Sequence, residues 1–203
     1  MNIQNAVAEL FDFAFSRKNV VQGSVGGGNP ALATPAGLGR AFAQELTDVD
    51  ILQFALGLEH LEARMYVDML ATNILTGKEM RYFQSFGSQE AAHVTFLTDG
   101  LSAAGATPVQ AAASYNFPTF DSREAILDLA RIAEETGVGA YQGAAAAIQN
   151  KDYLAAAGSI VQVEARHAAI VRMLLGQKPV PAATTPSLTI AEVNAIVGPL
   201  IGA

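Results

Sequence analysis

One spacing constrains this chain more than any other feature. Glu59 lies seven residues before Tyr66, and Glu134 lies seven before Tyr141. Glu90 and Glu164 each stand three residues before a histidine, His93 and His167. The two Glu-x6-Tyr pairs are 75 residues apart and the two Glu-x2-His pairs 74 apart. The chain therefore carries an approximate internal repeat. Residues three and seven apart share a helix face, so each motif can aim its side chains at one centre.

Helical patterns surround all four motifs. The spacing of apolar residues predicts helices from Thr47 or Asp48 to about Asn73 and over about 78–103. A third starts near Ser122, behind an Asp121/Glu124 capping-box pattern, and runs to about Gln149. A fourth runs over about 152–175 and stops at Gly176, with Pro179 and Pro181 beyond. Thr189 and Glu192 cap a short final helix. Upstream, residues 3–16 show helical spacing, and the Gly/Pro-rich stretch 24–39 reads as a loop or ordered arm. Gly105, Pro108, Asn116 and Pro118 break the chain between helices two and three into a connection of about 17 residues. Sustained period-2 alternation is absent, so the expected class is all-α. The expected organisation is an N-terminal helix and arm over 1–46, a four-helix bundle over 47–176 and a tail over 177–203.

Helix geometry tests the repeat independently. The midpoint between Glu59 and the Glu90/His93 pair falls near the Thr76–Gly77 turn. The midpoint between Glu134 and the Glu164/His167 pair falls near the Asn150–Asp152 turn. At about 1.5 Å per residue, the chain runs roughly 24 Å to each turn and returns as far. Two antiparallel hairpins thus bring four carboxylates and two imidazoles to one level. Buried carboxylates are costly without cations, and no Lys or Arg repeats on that face. Two divalent metal ions would neutralise them. A Glu from each of two helices with Glu-x-x-His from each of the other two is the di-iron or di-manganese carboxylate pattern.

Composition narrows the chemistry. Without Cys there is no disulfide, zinc-thiolate or cysteine-ligated cluster. Only His60, His93 and His167 can supply imidazole. Twelve Lys and Arg against nineteen Asp and Glu, with no basic run, argue against nucleic acid as a partner. The uncharged stretches 19–39 and 100–120 are broken by Gly and Pro, so neither reads as a membrane span. The N-terminus carries Glu9 and Asp12 and does not read as a secretory signal. The expected location is cytoplasmic, with export after removal of a signal as the alternative.

The motif set resembles that of the ferritin-like superfamily. More narrowly, the stretch DVDILQFALGLEHLEARMY, residues 48–66, is similar to the opening helix of the ferritin-like domain of desiccation-related proteins. The resemblance covers residues 48–175 and implies an antiparallel four-helix bundle with a long crossover between helices two and three. It implies Glu59, Glu90, His93, Glu134, Glu164 and His167 as metal ligands, with Glu90 and Glu164 bridging. Tyr66 and Tyr141 match tyrosines that orient ligand carboxylates. The metals expected are two iron ions, or alternatively two manganese ions. The implied activity is ferroxidase- or peroxidase-like redox chemistry with oxygen or peroxide as the small substrate, under oxidative or desiccation stress. The alternative is a non-catalytic stress-associated structural or interaction protein. A homodimer is the expected assembly.

Neighbouring residues have plainer readings. Glu62, three after Glu59, is either a seventh carboxylate with an acid/base role or an edge residue paired with Arg or water. Its repeat partner is Gly137. His60 is turned about 100° from Glu59 and reads as a helix-edge residue. Glu135 competes with Glu134 for register, and the shared Tyr at +7 favours Glu134. Phe54, Met65, Met69, Phe83, Phe86 and Phe96 read as core.

Overall fold

Thr47 opens the first long helix with a full capping box. Its hydroxyl accepts from Asp50 N at 3.2 Å, while the Asp50 carboxylate accepts from Thr47 N at 3.0 Å. A computed structural model describes residues 46–202. The predicted helix over 3–16 and the Gly/Pro-rich arm lie outside the described residues.

Helix α1, Asp48–Ala71, turns back through Asn73, which adopts the left-handed conformation at φ 58°, into α2, Gly77–Ala103. A Schellman motif closes α2: Gly105 at φ 77° lets Ala106 N donate to Leu101 O and Gly105 N to Ser102 O. Helices α3, Arg123–Ala145, and α4, Lys151–Leu174, form the second hairpin. Gly176 ends α4 by the same motif, where the sequence pattern stops. Thr189 and Glu192 form the expected capping box on the short α5, Ile190–Val197.

Two details differ from the expected boundaries. Ser122 caps α3 through its own hydroxyl, which accepts from Ala125 N at 3.2 Å, in place of the Asp121 pattern. Helix α3 also ends four residues early. The Asp48 carboxylate accepts from Gln149 N and Asn150 N, both at 2.8 Å, and holds that segment as a turn.

These contacts also set the helix directions. Asp48 at the start of α1 meets the chain just past the end of α3, so α1 and α3 run antiparallel. Arg123 at the start of α3 donates to Glu79 near the start of α2 and to Leu174 O at the end of α4. Helices α2 and α3 therefore run parallel, and the connection between them must travel the length of the bundle. Gln53 fastens that crossover near its beginning, donating to Thr107 O and accepting from Val109 N, both at 2.7 Å. Phe117 and Phe120 dock it at the far end. The fold is an all-α four-helix bundle. Among the described residues there is no β-strand, only an isolated bridge between Tyr115 and Ile201. None of their helices is long and apolar enough to cross a membrane.

The core comes in layers. One end is packed by Leu52, Leu56, Leu97, Leu101 and Ile160, the other by Met65, Met69, Phe83, Ile126, Leu127 and Val171. A third cluster seats α5 on α1 and α3 through Leu58, Leu61, Val193 and Val197. The segment leading into α5 crosses α3 at two glycines. Leu188 N donates to Gly139 O at 2.9 Å, and a Cβ on Gly143 would stand 1.9 Å from Leu188 O. Only glycine permits that approach. The tail then pairs with the crossover, Asn116 N donating to Leu200 O and Gly202 N to Ser114 O.

Candidate metal centre

Between the two apolar ends, each helix turns polar groups inward at the same height. Helix α1 supplies Glu59 and Glu62, α2 supplies Glu90 and His93, α3 supplies Glu134, and α4 supplies Glu164 and His167. Glu59, Glu90, Glu134 and Glu164 are each 0% exposed. The structure thus brings all six repeat-motif residues together.

Their polar atoms form two sets that share members. Ligand atoms of Glu59, Glu90, His93 and Glu164 lie within 4.8 Å of one another, and so do those of Glu90, Glu134, Glu164 and His167. Glu90 and Glu164 belong to both. His93 Nδ1 stands 3.1 Å from Glu59 Oε2, 2.9 Å from Glu90 Oε2 and 3.2 Å from Glu164 Oε1. His167 Nδ1 stands 2.9 Å from Glu90 Oε1 and 3.2 Å from Glu134 Oε2. The tyrosines cross between hairpins reciprocally. The Tyr66 hydroxyl on α1 donates to Glu134 Oε1, and the Tyr141 hydroxyl on α3 donates to Glu59 Oε1. Each bond leaves the other oxygen of its carboxylate facing inward.

Glu62 joins this layer and is not an edge residue. It is 3% exposed. It fits because its repeat partner is glycine: a Cβ on Gly137 would lie 3.1 Å from Glu164 Oε2 and 3.3 Å from Glu62 Oε1. Glu135 faces away and pairs with Arg131 and Arg172, which settles the register in favour of Glu134. His60 Nε2 donates to Val109 O at 3.2 Å and so holds the crossover outside the site. Gln89, which the motif reading passed over, accepts from His167 Nε2 at 2.6 Å. Its one sequence signal is adjacency to Glu90.

The electrostatics follow from crowding like charges away from water. Burial and the neighbouring Glu164 push Glu59 up to about 8. Burial, then Glu90 and Glu134, do the same to Glu164, also to about 8. Burial, then Glu164 and Glu134, hold the Glu62 carboxyl well above the usual range. Burial works against the charge on Glu90 too, but the His167 and His93 rings, each with Nδ1 2.9 Å from one of its oxygens, outweigh it and draw Glu90 down to about 2. Burial disfavours the His167 cation, and Glu134 and Glu90 more than reverse this, raising it to about 10.

The donor set suits divalent cations. Among the described residues no Lys or Arg pairs with these carboxylates. Five buried polar atoms of the layer make no hydrogen bond of proper geometry, although imidazole and carboxylate atoms stand 2.9–3.2 Å apart: Glu90 Oε1, Glu134 Oε2, both oxygens of Glu164, and His167 Nδ1. Orphaned buried atoms of this kind are rare in folded proteins. Carboxylate oxygens with one imidazole per set match the preferences of iron and manganese.

A family model described as a ferritin-like domain matches residues 47–177. The solved structure of a conserved hypothetical protein from Mycobacterium tuberculosis is similar, with 24% identity and a TM-score of 0.59 over 68% of this chain and 96% of that one. That likeness concerns the fold alone. No curated protein matches the chain.

Proposed function

The chain belongs to the ferritin-like domain family, and from that premise we propose that it is a di-metal carboxylate protein with ferroxidase- or peroxidase-like activity toward oxygen or peroxide. Glu59, Glu90, His93, Glu134, Glu164 and His167 are the proposed ligands, with Glu90 and Glu164 shared between two ions. Iron is the proposed metal, with manganese the alternative. The setting proposed is oxidative or desiccation stress. The observation that carries this reading is the set of five orphaned, buried donor atoms. When bound, such an ion pair supplies two one-electron redox centres and open coordination positions.

The chain's own residues do the rest. Tyr141 and Tyr66 orient the terminal carboxylates Glu59 and Glu134 by hydrogen bonding to one oxygen of each. Glu62 places a seventh buried acid/base group beside Glu164, and in the metal-free layer burial and the neighbouring carboxylates favour its protonated form. The Phe83 and Phe86 rings wall one side of the layer from water.

The test is elemental analysis of freshly purified, unchelated protein, followed by oxygen uptake on adding Fe(II). Two iron or manganese ions per chain and rapid uptake are expected. Protein without metal overturns the reading. So does a Glu90→Ala, Glu164→Ala variant that still binds two ions with unchanged affinity. Metal-loaded protein inert to both oxygen and peroxide would leave the ions a structural role.

A further inference from the structure

The two hairpins repeat the ligand motif but not its surroundings, and the difference falls on the two imidazoles. His167 Nε2 donates to Gln89 Oε1 at 2.6 Å. Phe86, one turn earlier on α2, lays its ring 4.2 Å from the same imidazole, centroid to centroid. One face of α2 therefore holds both the edge and the face of the His167 ring. The internal repeat puts Val163 and Ile160 at the corresponding positions of α4. Valine carries no hydrogen-bond acceptor in its side chain. Both hydrogen bonds of His93 are made through Nδ1, and among the described residues its Nε2 has no partner. The His93 side chain is also 11% exposed, against 2% for His167.

A neutral imidazole offers one lone pair, on whichever nitrogen lacks the proton. An acceptor at Nε2 keeps the proton there, fixes the ring angle and leaves Nδ1 basic. We propose that Gln89 is a positioning residue that makes the two metal subsites unequal, so that the Glu134/His167 subsite binds a divalent cation more tightly and fills before the Glu59/His93 subsite. This rests on the two-ion reading above. His93 reaches the same tautomer only by leaving its Nε2 without an acceptor among the described residues to fix the ring.

Co(II) titrated into metal-free, full-length protein tests this, read by calorimetry and by the visible bands of the bound ion. The wild type is expected to take up two ions in two resolved steps. Gln89→Leu should weaken the tight step about 10–100-fold, the usual cost of losing such a partner, and leave the weak step in place. Gln89→Glu keeps an acceptor and should restore the tight step. Val163→Gln offers His93 the acceptor it lacks and should tighten the weak step, drawing the two together. Melting of each metal-free variant checks the fold, and if Gln89→Leu is unstable, Val163→Gln carries the test alone. Two ions in the wild type with identical titrations for Gln89→Leu, or an unchanged weak step in Val163→Gln, overturn this inference and leave the two-ion reading standing. No uptake by the wild type removes both.

Discussion

The polar layer and the apolar layer beside it are built by the same four helices under opposite rules. Around Phe83 the helices meet through Met65, Met69, Ile126, Leu127 and Val171, which are at most 1% exposed. One to two turns away they meet through five carboxylates and two imidazoles, nearly as well buried. Burying the first set drives folding, since each side chain contributes about 1.5–3 kcal/mol. Burying the second set without cations opposes it. Tyr66 joins the two: its ring meets Phe83 and Phe86 edge-on at 5.2 and 5.9 Å, while its hydroxyl reaches Glu134. The apolar layer supplies the stability that lets the polar layer hold groups apart from water.

The largest effect should come from the apolar side. Phe83→Ala leaves a cavity among rigid neighbours and should lower unfolding stability by about 3–5 kcal/mol in urea titrations. A loss below about 1 kcal/mol would mean that this layer is not the source of stability. On the polar side, saturating metal at about 100 times its Kd should raise stability by about 2.7 kcal/mol per site. Glu90→Leu with Glu164→Leu should abolish that response, yet leave metal-free protein at least as stable as metal-free wild type. A double variant as damaged as Phe83→Ala would break the contrast between the layers.

Acidity sharpens the same contrast. Glu59 and Glu164, raised to about 8, contribute stability that is complete below the ordinary 4.5 and lost as pH rises through 8. His167 behaves alike, with stability complete below 6.5 and lost as pH rises through about 10. Glu90 acts oppositely, but only as pH falls from 4.5 through about 2. Metal-free protein should therefore melt at lower temperature at pH 9 than at pH 6. Bound cations replace the protons, so loaded protein should show a flatter profile. A metal-free melting temperature that rises over this range would show the carboxylates to be solvated. The smallest effect lies outside both layers. Thr47→Ala removes an exposed capping box and should cost about 1 kcal/mol in thermal melts, with metal uptake unchanged.

Much of this was legible in the residues themselves. Helix periodicity, caps and glycine stops are local, and Thr47, Gly176 and the Thr189/Glu192 pair mark their elements almost where the chain obeys them. The common height of the inward carboxylates and imidazoles follows from counting residues to each turn, because helix rise is constant. Asp121 misled because Ser122 beside it competes for the same cap. The early end of α3 depends on Asp48, about a hundred residues away, which no local pattern contains.

The sequence alone thus settled the four long helices of the bundle, how the hairpins fold back and that the six repeat-motif carboxylates and imidazoles meet. The packed structure was needed for contacts that depend on how helices rotate and where loops return. Glu62 is inside because Gly137, on another helix, leaves room for it. Gln89 is a neighbour of His167 because α2 and α4 present those faces to each other. The tail lies on its own chain because Gly139 and Gly143 let Leu188 approach α3. Periodicity specifies which side of a helix is buried, but the partner opposite each position is a property of the assembled bundle.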